Sequence, residues 1–114
     1  MGRVEISQDV IALVAARAVA GSPGVLGLAA KRPRNGAAQI LPPDDCQRGV
    51  NARLVDGRVV IDLWVVMQYG VRVPDSAETL MSSVKQALEK ALGIPIAAVN
   101  VNVQGLRVAG ESAD

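Results

Sequence analysis

The dipeptide Asp56-Gly57, set between two runs of β-prone residues, constrains this chain more than any other feature. Both residues tolerate the positive φ that a two-residue type I′ turn demands. Such a turn sets a register: Val55 faces Arg58, Leu54 Val59, Arg53 Val60, Ala52 Ile61, Asn51 Asp62 and Val50 Leu63. Side chains alternate along a strand, so one face gathers Val50, Ala52, Leu54, Val59, Ile61, Leu63, Val65 and Met67. That face is wholly apolar and is expected to lie on a core. The other face carries Asn51, Arg53, Val55, Arg58, Val60, Asp62, Trp64, Val66 and Gln68 and is mixed. The expectation is a sheet with one covered side and one side available to a partner.

Helical stripes flank this hairpin. Val10, Ile11, Leu13, Val14 and Ala18 recur at helical spacing behind Ser7, a good N-cap, and Asp9, which the helix dipole favours in a first turn. Gly21 and Pro23 end that helix. Gly24 to Ala30 reads as a short strand. Leu80, Met81, Val84, Ala87, Leu88, Ala91 and Leu92 form a second stripe, stopped by Gly93 and Pro95. Its expected cap is Asp75 or Ser76, with Glu78 in capping-box position and Pro74 closing the extended stretch before it. Ala98 to Gln104 alternates strictly, Val99, Val101 and Val103 inward and Asn100, Asn102 and Gln104 outward, and Gly105 marks a bulge.

Residues 31–49, rich in Pro, Gly and charge, read as a long loop with one helical turn near Ala37 to Ile40. The order is α-β-loop-β-β-α-β. The last strand returns after a helix and should lie parallel to the strand that begins at Arg58, through a right-handed crossover. The expected fold class is α+β in two layers: a mixed sheet of three or four strands with both helices on its apolar face. The organisation expected is a single domain over 1–109 with a disordered tail at 110–114.

Composition removes several function classes. The chain has no His, so the commonest general base and metal ligand are missing. Cys46 is the sole cysteine and has no CxxC mate. A formal charge of +1 supplies no field for nucleic acid. The N-terminus lacks a signal-peptide core, and no apolar run approaches the ~20 residues that span a bilayer. A soluble, cytoplasmic protein is expected.

The candidate chemical motifs are weak. Gly21, Gly24 and Gly27 precede a strand and are not followed by a Lys-Ser/Thr pair, unlike a phosphate loop. Gly24-Val25-Leu26-Gly27 has the spacing of a KH-domain GXXG loop but lacks basic flanks. Lys31, Arg32 and Arg34 suit a solvated loop, and Asp44 and Asp45 lack the further carboxylates a divalent cation needs. Ser82 and Ser83 have no visible base. Trp64 differs: with Val60 and Val66 it forms an apolar stripe on the mixed face, bordered by Asp62, Arg53 and Gln68. Either this stripe is exposed for a partner, or the long loop folds over it. The candidate interaction residues are Val60, Trp64, Val66, Arg53, Asn100 and Asn102.

Two blocks carry a family resemblance. Gly2 to Leu28 contains Glu5-Ile6-Ser7 and Gly24-Val25-Leu26-Gly27. Asp56 to Val108 contains Tyr69-Gly70-Val71 with Pro74, and Val99-Asn100-Val101-Asn102-Val103 with Gly105. In these the chain resembles the alkaline shock protein (Gls-type) family, envelope stress response proteins of Gram-positive bacteria. The resemblance does not rest on residues Lys31 to Val50, and the role of that loop stays open. The resemblance implies a non-enzymatic, cytoplasmic interaction or scaffold protein without cofactor. It implies recruitment to the membrane by a membrane-anchored partner, self-association into homo-oligomers, and an association with a fatty-acid-kinase-like protein. The alternatives are a KH-like nucleic-acid-binding module, by fold analogy alone, and a small enzyme or ligand-binding subunit, which needs a polar pocket.

Overall fold

The structure is a computed structural model, which describes residues 2, 6–31 and 39–108. Helix α1 spans Gln8–Ala20; the Ser7 hydroxyl accepts from the Val10 N–H, and the Gly21 N–H donates to the Arg17 carbonyl. Strand β1 is Val25–Leu28, followed after residues 32–38 by a 3₁₀ helix, Pro43–Gly49. Strands β2 (Val50–Val55) and β3 (Arg58–Gln68) form the hairpin. Asp56 and Gly57 have φ of 53° and 76°, and every pair from Val55↔Arg58 to Val50↔Leu63 stands in the expected register. Helix α2 is Val73–Leu92 and strand β4 is Ile96–Arg107.

β3 organises the sheet. β4 runs parallel to it along Val59 to Gln68, and β2 runs antiparallel along Arg58 to Leu63. β1 pairs antiparallel with Val65 to Met67. A strand has two edges, so β4 takes one and β2 and β1 share the other, end to end. The result is a mixed α+β sheet, as expected. Two irregularities interrupt the β3–β4 ladder, one at Ala97 and one at Gln104 beside Gly105. The second is the bulge that Gly105 signals.

Both helices cover one face. Ile11, Ala12, Ala15 and Val19 of α1 and Leu80, Val84 and Leu88 of α2 are buried against Ile61, Leu63, Val65 and Met67. This core contains no aromatic ring. It is built from small branched chains, whose dense interdigitation replaces the area an aromatic would contribute.

Several local expectations are corrected. Leu54 lies on the apolar face yet is 74% exposed, because the hairpin tip projects past the cover of the helices. α2 begins at Val73, with Arg72 rather than Asp75 or Ser76 at the cap. Pro74 opens this helix instead of ending a strand, since its missing N–H falls where a helix has no acceptor to offer. Asp75 pairs with Arg72 at 3.2 Å in that first turn. Ile40 forms no helical turn; it bridges Ala29, and the Leu41 N–H donates to the Leu28 carbonyl at 2.8 Å. The helical turn of this region comes later, at Pro43–Gly49, where it buries Cys46 against α1. Arg32, Arg34, Ala37, Ala38 and the tail at 110–114 lie outside the described residues.

Candidate protein-interaction surface

The outer face of the sheet holds the predicted site residues in rows across the strands. Asn51, Asp62 and Asn100 stand side by side on β2, β3 and β4, and Arg53, Val60 and Ala98 form the next row. Asp62 is the hub. Its carboxylate accepts from Arg53 Nε at 2.7 Å and from Asn100 Nδ2 at 2.9 Å, and its side chain is 13% exposed. The hydrogen bond from Arg53 holds its carboxyl below the usual carboxylate range, against the opposing effect of burial; Asn100, the charge of Arg53 and Asn51 add to the lowering. Asn102 Nδ2 donates to the Leu63 carbonyl at 3.1 Å.

Trp64 is half-buried. The Lys31 ammonium sits 5.3 Å from the centre of its ring, within cation–π range. Gln104 Nε2 donates to the carbonyls of Ala30 and Lys31, at 3.2 and 3.0 Å. Gln104 belongs to β4 and Ala30 follows β1, so this side chain reaches over β3. It draws the start of the long loop onto the outer face.

Of the two alternatives for the stripe, exposure holds in part for Trp64 alone. Val66 is fully buried and Val60 is 8% exposed, so within that stripe Trp64 alone is partly open. Arg53, Asn100 and Asn102 are exposed as expected, but Arg53 and Asn100 converge on one carboxylate rather than standing free. Lys31 is a member of this face that sequence reasoning missed, whereas the strict alternation of β4 sets Gln104 outward; what no local pattern signals is the reach of Gln104 to the loop.

The three edge segments of the sheet differ more sharply. Beside β2, the Gln8 carboxamide takes both main-chain groups of Ala52: Nε2 donates to the carbonyl at 3.0 Å and Oε1 accepts from the N–H at 3.3 Å. Beside β1, Ile40 and Leu41 pair with the strand. Beside β4, the Ile96 N–H donates to Glu89 Oε2 at 3.0 Å, and beyond it, among the described residues, nothing pairs with the free edge from Ala97 to Leu106. This edge carries no Lys and no Pro, and its first charge is Arg107. Natural sheets usually blunt an edge of such length.

Among the described residues, no set of three His, Cys, Asp or Glu side chains could hold a metal ion. Gly24 closes the turn after α1 and Val25 to Gly27 belong to β1, so the segment does not lie between two helices and a GXXG clamp is not formed. A shallow apolar cleft of about 500 Å³ lies between α1 and the segment around Ile40, with Leu13, Leu26, Leu41 and Cys46 in its lining. No described helix is long and apolar enough to cross a membrane.

Among the described residues, the protein is a small mixed sheet with both helices on one face, one edge partly covered and the other largely open. The chain belongs to the alkaline shock protein 23 family, described by its cell envelope-related function, whose profile matches residues 1–108. It is 32% identical over 108 residues to the uncharacterized protein YloU of Bacillus subtilis strain 168, covering 94% of this chain and 90% of that one. It is 33% identical over 112 residues to the uncharacterized protein Spy1614 of Streptococcus pyogenes serotype M6, covering 97% and 93%. Uncharacterized protein YqhY of Bacillus subtilis is 25% identical over 107 residues, 94% of this chain and 78% of that one. No solved structure matches.

Proposed function

We propose that this protein is a non-enzymatic interaction scaffold of the cell-envelope stress response, held at the membrane by an anchored protein partner or by assembly with itself. The observation that carries this reading is the open edge of β4, where among the described residues nothing pairs with the main chain on the outward side from Ala98 to Leu106. Such an edge gives affinity through the backbone and specificity through alternate side chains. Membership of an envelope-related family supports the location. The described residues assemble no metal set, and the chain has no His, which supports a role without catalysis.

The test is sedimentation of the purified protein with native cytoplasmic-side-out envelope vesicles and with protein-free liposomes of the same lipids. The expected result is capture by native vesicles, loss of capture after trypsin treatment of those vesicles, and no capture by liposomes. Equal capture by liposomes would overturn the protein partner in favour of a lipid surface. A protein that binds neither and stays monomeric at every concentration would overturn the scaffold reading.

A further inference from the structure

We propose that the β4 edge is the seat of a second copy of this chain, paired antiparallel about Val101 so that two sheets become one. The proposal rests on the interaction reading above and names its partner, surface and register.

The first argument is sequence symmetry. Val99-Asn100-Val101-Asn102-Val103 reads the same in both directions. A two-fold interface must be self-complementary, each residue meeting its counterpart's mirror position. With Val101 opposite itself, Val99 meets Val103 of the second copy and Asn100 meets Asn102. Direct partners in an antiparallel pair share a face. The valines therefore line up on the helix-covered face and the asparagines on the outer face, in both copies at once. A slip of one residue sets Val against Asn and loses this match.

The second argument is where the ladder is regular. The irregularities at Ala97 and Gln104 bracket Ala98 to Val103, and between them β4 keeps an uninterrupted register with β3. Bulges twist an edge and discourage pairing. Here they flank the palindrome and leave its register with β3 unbroken.

The third argument is exposure. Val99 is 7% exposed and packed in the core, whereas Val103, on the same face, is 38% exposed. The apolar row runs off the covered part of the monomer. In the proposed register each exposed Val103 lands beside the covered Val99 of the other copy, which extends the core across the junction. The fourth is the contrast with the other edge, where Gln8 and the Ile40–Leu41 segment occupy β2 and β1. Among the described residues, one edge is partly covered and the other is left to pair.

Asn100→Cys and Asn102→Cys test the register on the outer face, where neither change enters the core; the native Cys46 is buried. Direct antiparallel partners have Cα atoms about 4.5–5.5 Å apart, within disulfide range, while each residue's own copy lies roughly two positions away. The expected result on mild oxidation is at least a tenfold excess of cross-linked pairs in the mixture of the two variants over either alone. Sedimentation velocity of the full chain should show a monomer–dimer equilibrium, weakened at least tenfold by Val103→Lys. If Val103→Lys proves unfolded by circular dichroism, the cysteine mixture decides alone. Equal cross-linking in all samples, or a wild-type dimer with none, would place the dimer elsewhere and overturn the proposal. A wild type that stays monomeric yet is captured by native vesicles would overturn this inference and leave the scaffold reading standing. A correctly cross-linked dimer that no vesicle captures would do the reverse to the anchored partner.

Discussion

Leu63→Ala and Leu54→Ala make a paired test of the register, because the same hairpin arithmetic puts both leucines on the apolar face. Leu63 is fully buried at the middle of β3, between Val50 of β2 and Val101 of β4. Truncation removes about three carbons' worth of transfer free energy, roughly 2.4 kcal/mol at ~0.8 per CH₂. The hole adds to this, since each cubic ångström left unfilled costs about 24 cal/mol. β3 is tied on both edges and cannot close in, so a total of about 3–4 kcal/mol is expected. That is a large part of the roughly 5–15 kcal/mol that holds a domain of this size. Leu54 is 74% exposed and should cost under about 0.5 kcal/mol. Urea unfolding followed by fluorescence of the single tryptophan, Trp64, measures both, at several protein concentrations so that association is separated from folding. Similar costs for the two variants, or a Leu63→Ala penalty below about 1 kcal/mol, would refute the placement of the core beneath β3.

The outer face and the turns give further predictions. Asp62→Asn should cost about 1 kcal/mol at pH 7, because the Arg53 side of the pair is 48% exposed and screened. The Asp62 carboxyl is held low in the folded state, so its contribution is full above its unfolded value near 3.9 and fades as pH falls through the lower folded value. The gap between wild type and variant in thermal melts should therefore narrow as pH falls below about 4, and a gap that widens there would contradict the sign. Gly24→Ala should cost roughly 1–2 kcal/mol, because φ is +80° and the new Cβ would stand 2.8 Å from the Ser76 hydroxyl. Adding Ser76→Ala should recover only the steric part, read from the double variant's urea midpoint. Gln8→Leu should remove about 1 kcal/mol and increase light scattering on concentration, since it uncovers the main chain of Ala52.

The legible parts of this fold were those that local chemistry decides. Asp56-Gly57 admits one hairpin geometry, and the register of β2 and β3 follows without tertiary information. Ser7 and Gly21 bound α1 for the same reason. The strict alternation after Ala98 told the inner from the outer side of β4. What escaped depended on long-range placement. Pro74 has the same local preference at the end of a strand as at the first turn of a helix, and the path of the chain chose the second. Whether Val66 is covered stayed open because its outward side was known and its neighbours were not; the reach of Gln104 over β3 to Ala30 joins residues more than seventy positions apart. Leu54 looked buried because periodicity assigns a face but not how far the helices extend along it.

The edge and the outer face act together if two copies pair as proposed. Direct partners in an antiparallel pair point the same way, so both outer faces would look in one direction and all helices in the other. Each copy would then present its row of Asn51, Asp62 and Asn100 and its half-buried Trp64 beside those of its twin. A single such face offers a modest target: one indole already engaged by Lys31, and one carboxylate already shared by Arg53 and Asn100. Two in fixed relation turn the second contact with a membrane-held partner into an intramolecular event, which raises avidity by orders of magnitude without a new side chain. On this account the valines of β4 set the assembly and the polar rows of the outer face meet the envelope. Val103→Lys should then weaken capture by native vesicles even though Val103 lies on the opposite face from the partner. Trp64→Ala should weaken capture while leaving the dimer intact. Loss of the dimer in Trp64→Ala, with capture by Val103→Lys unchanged, would reverse these two roles.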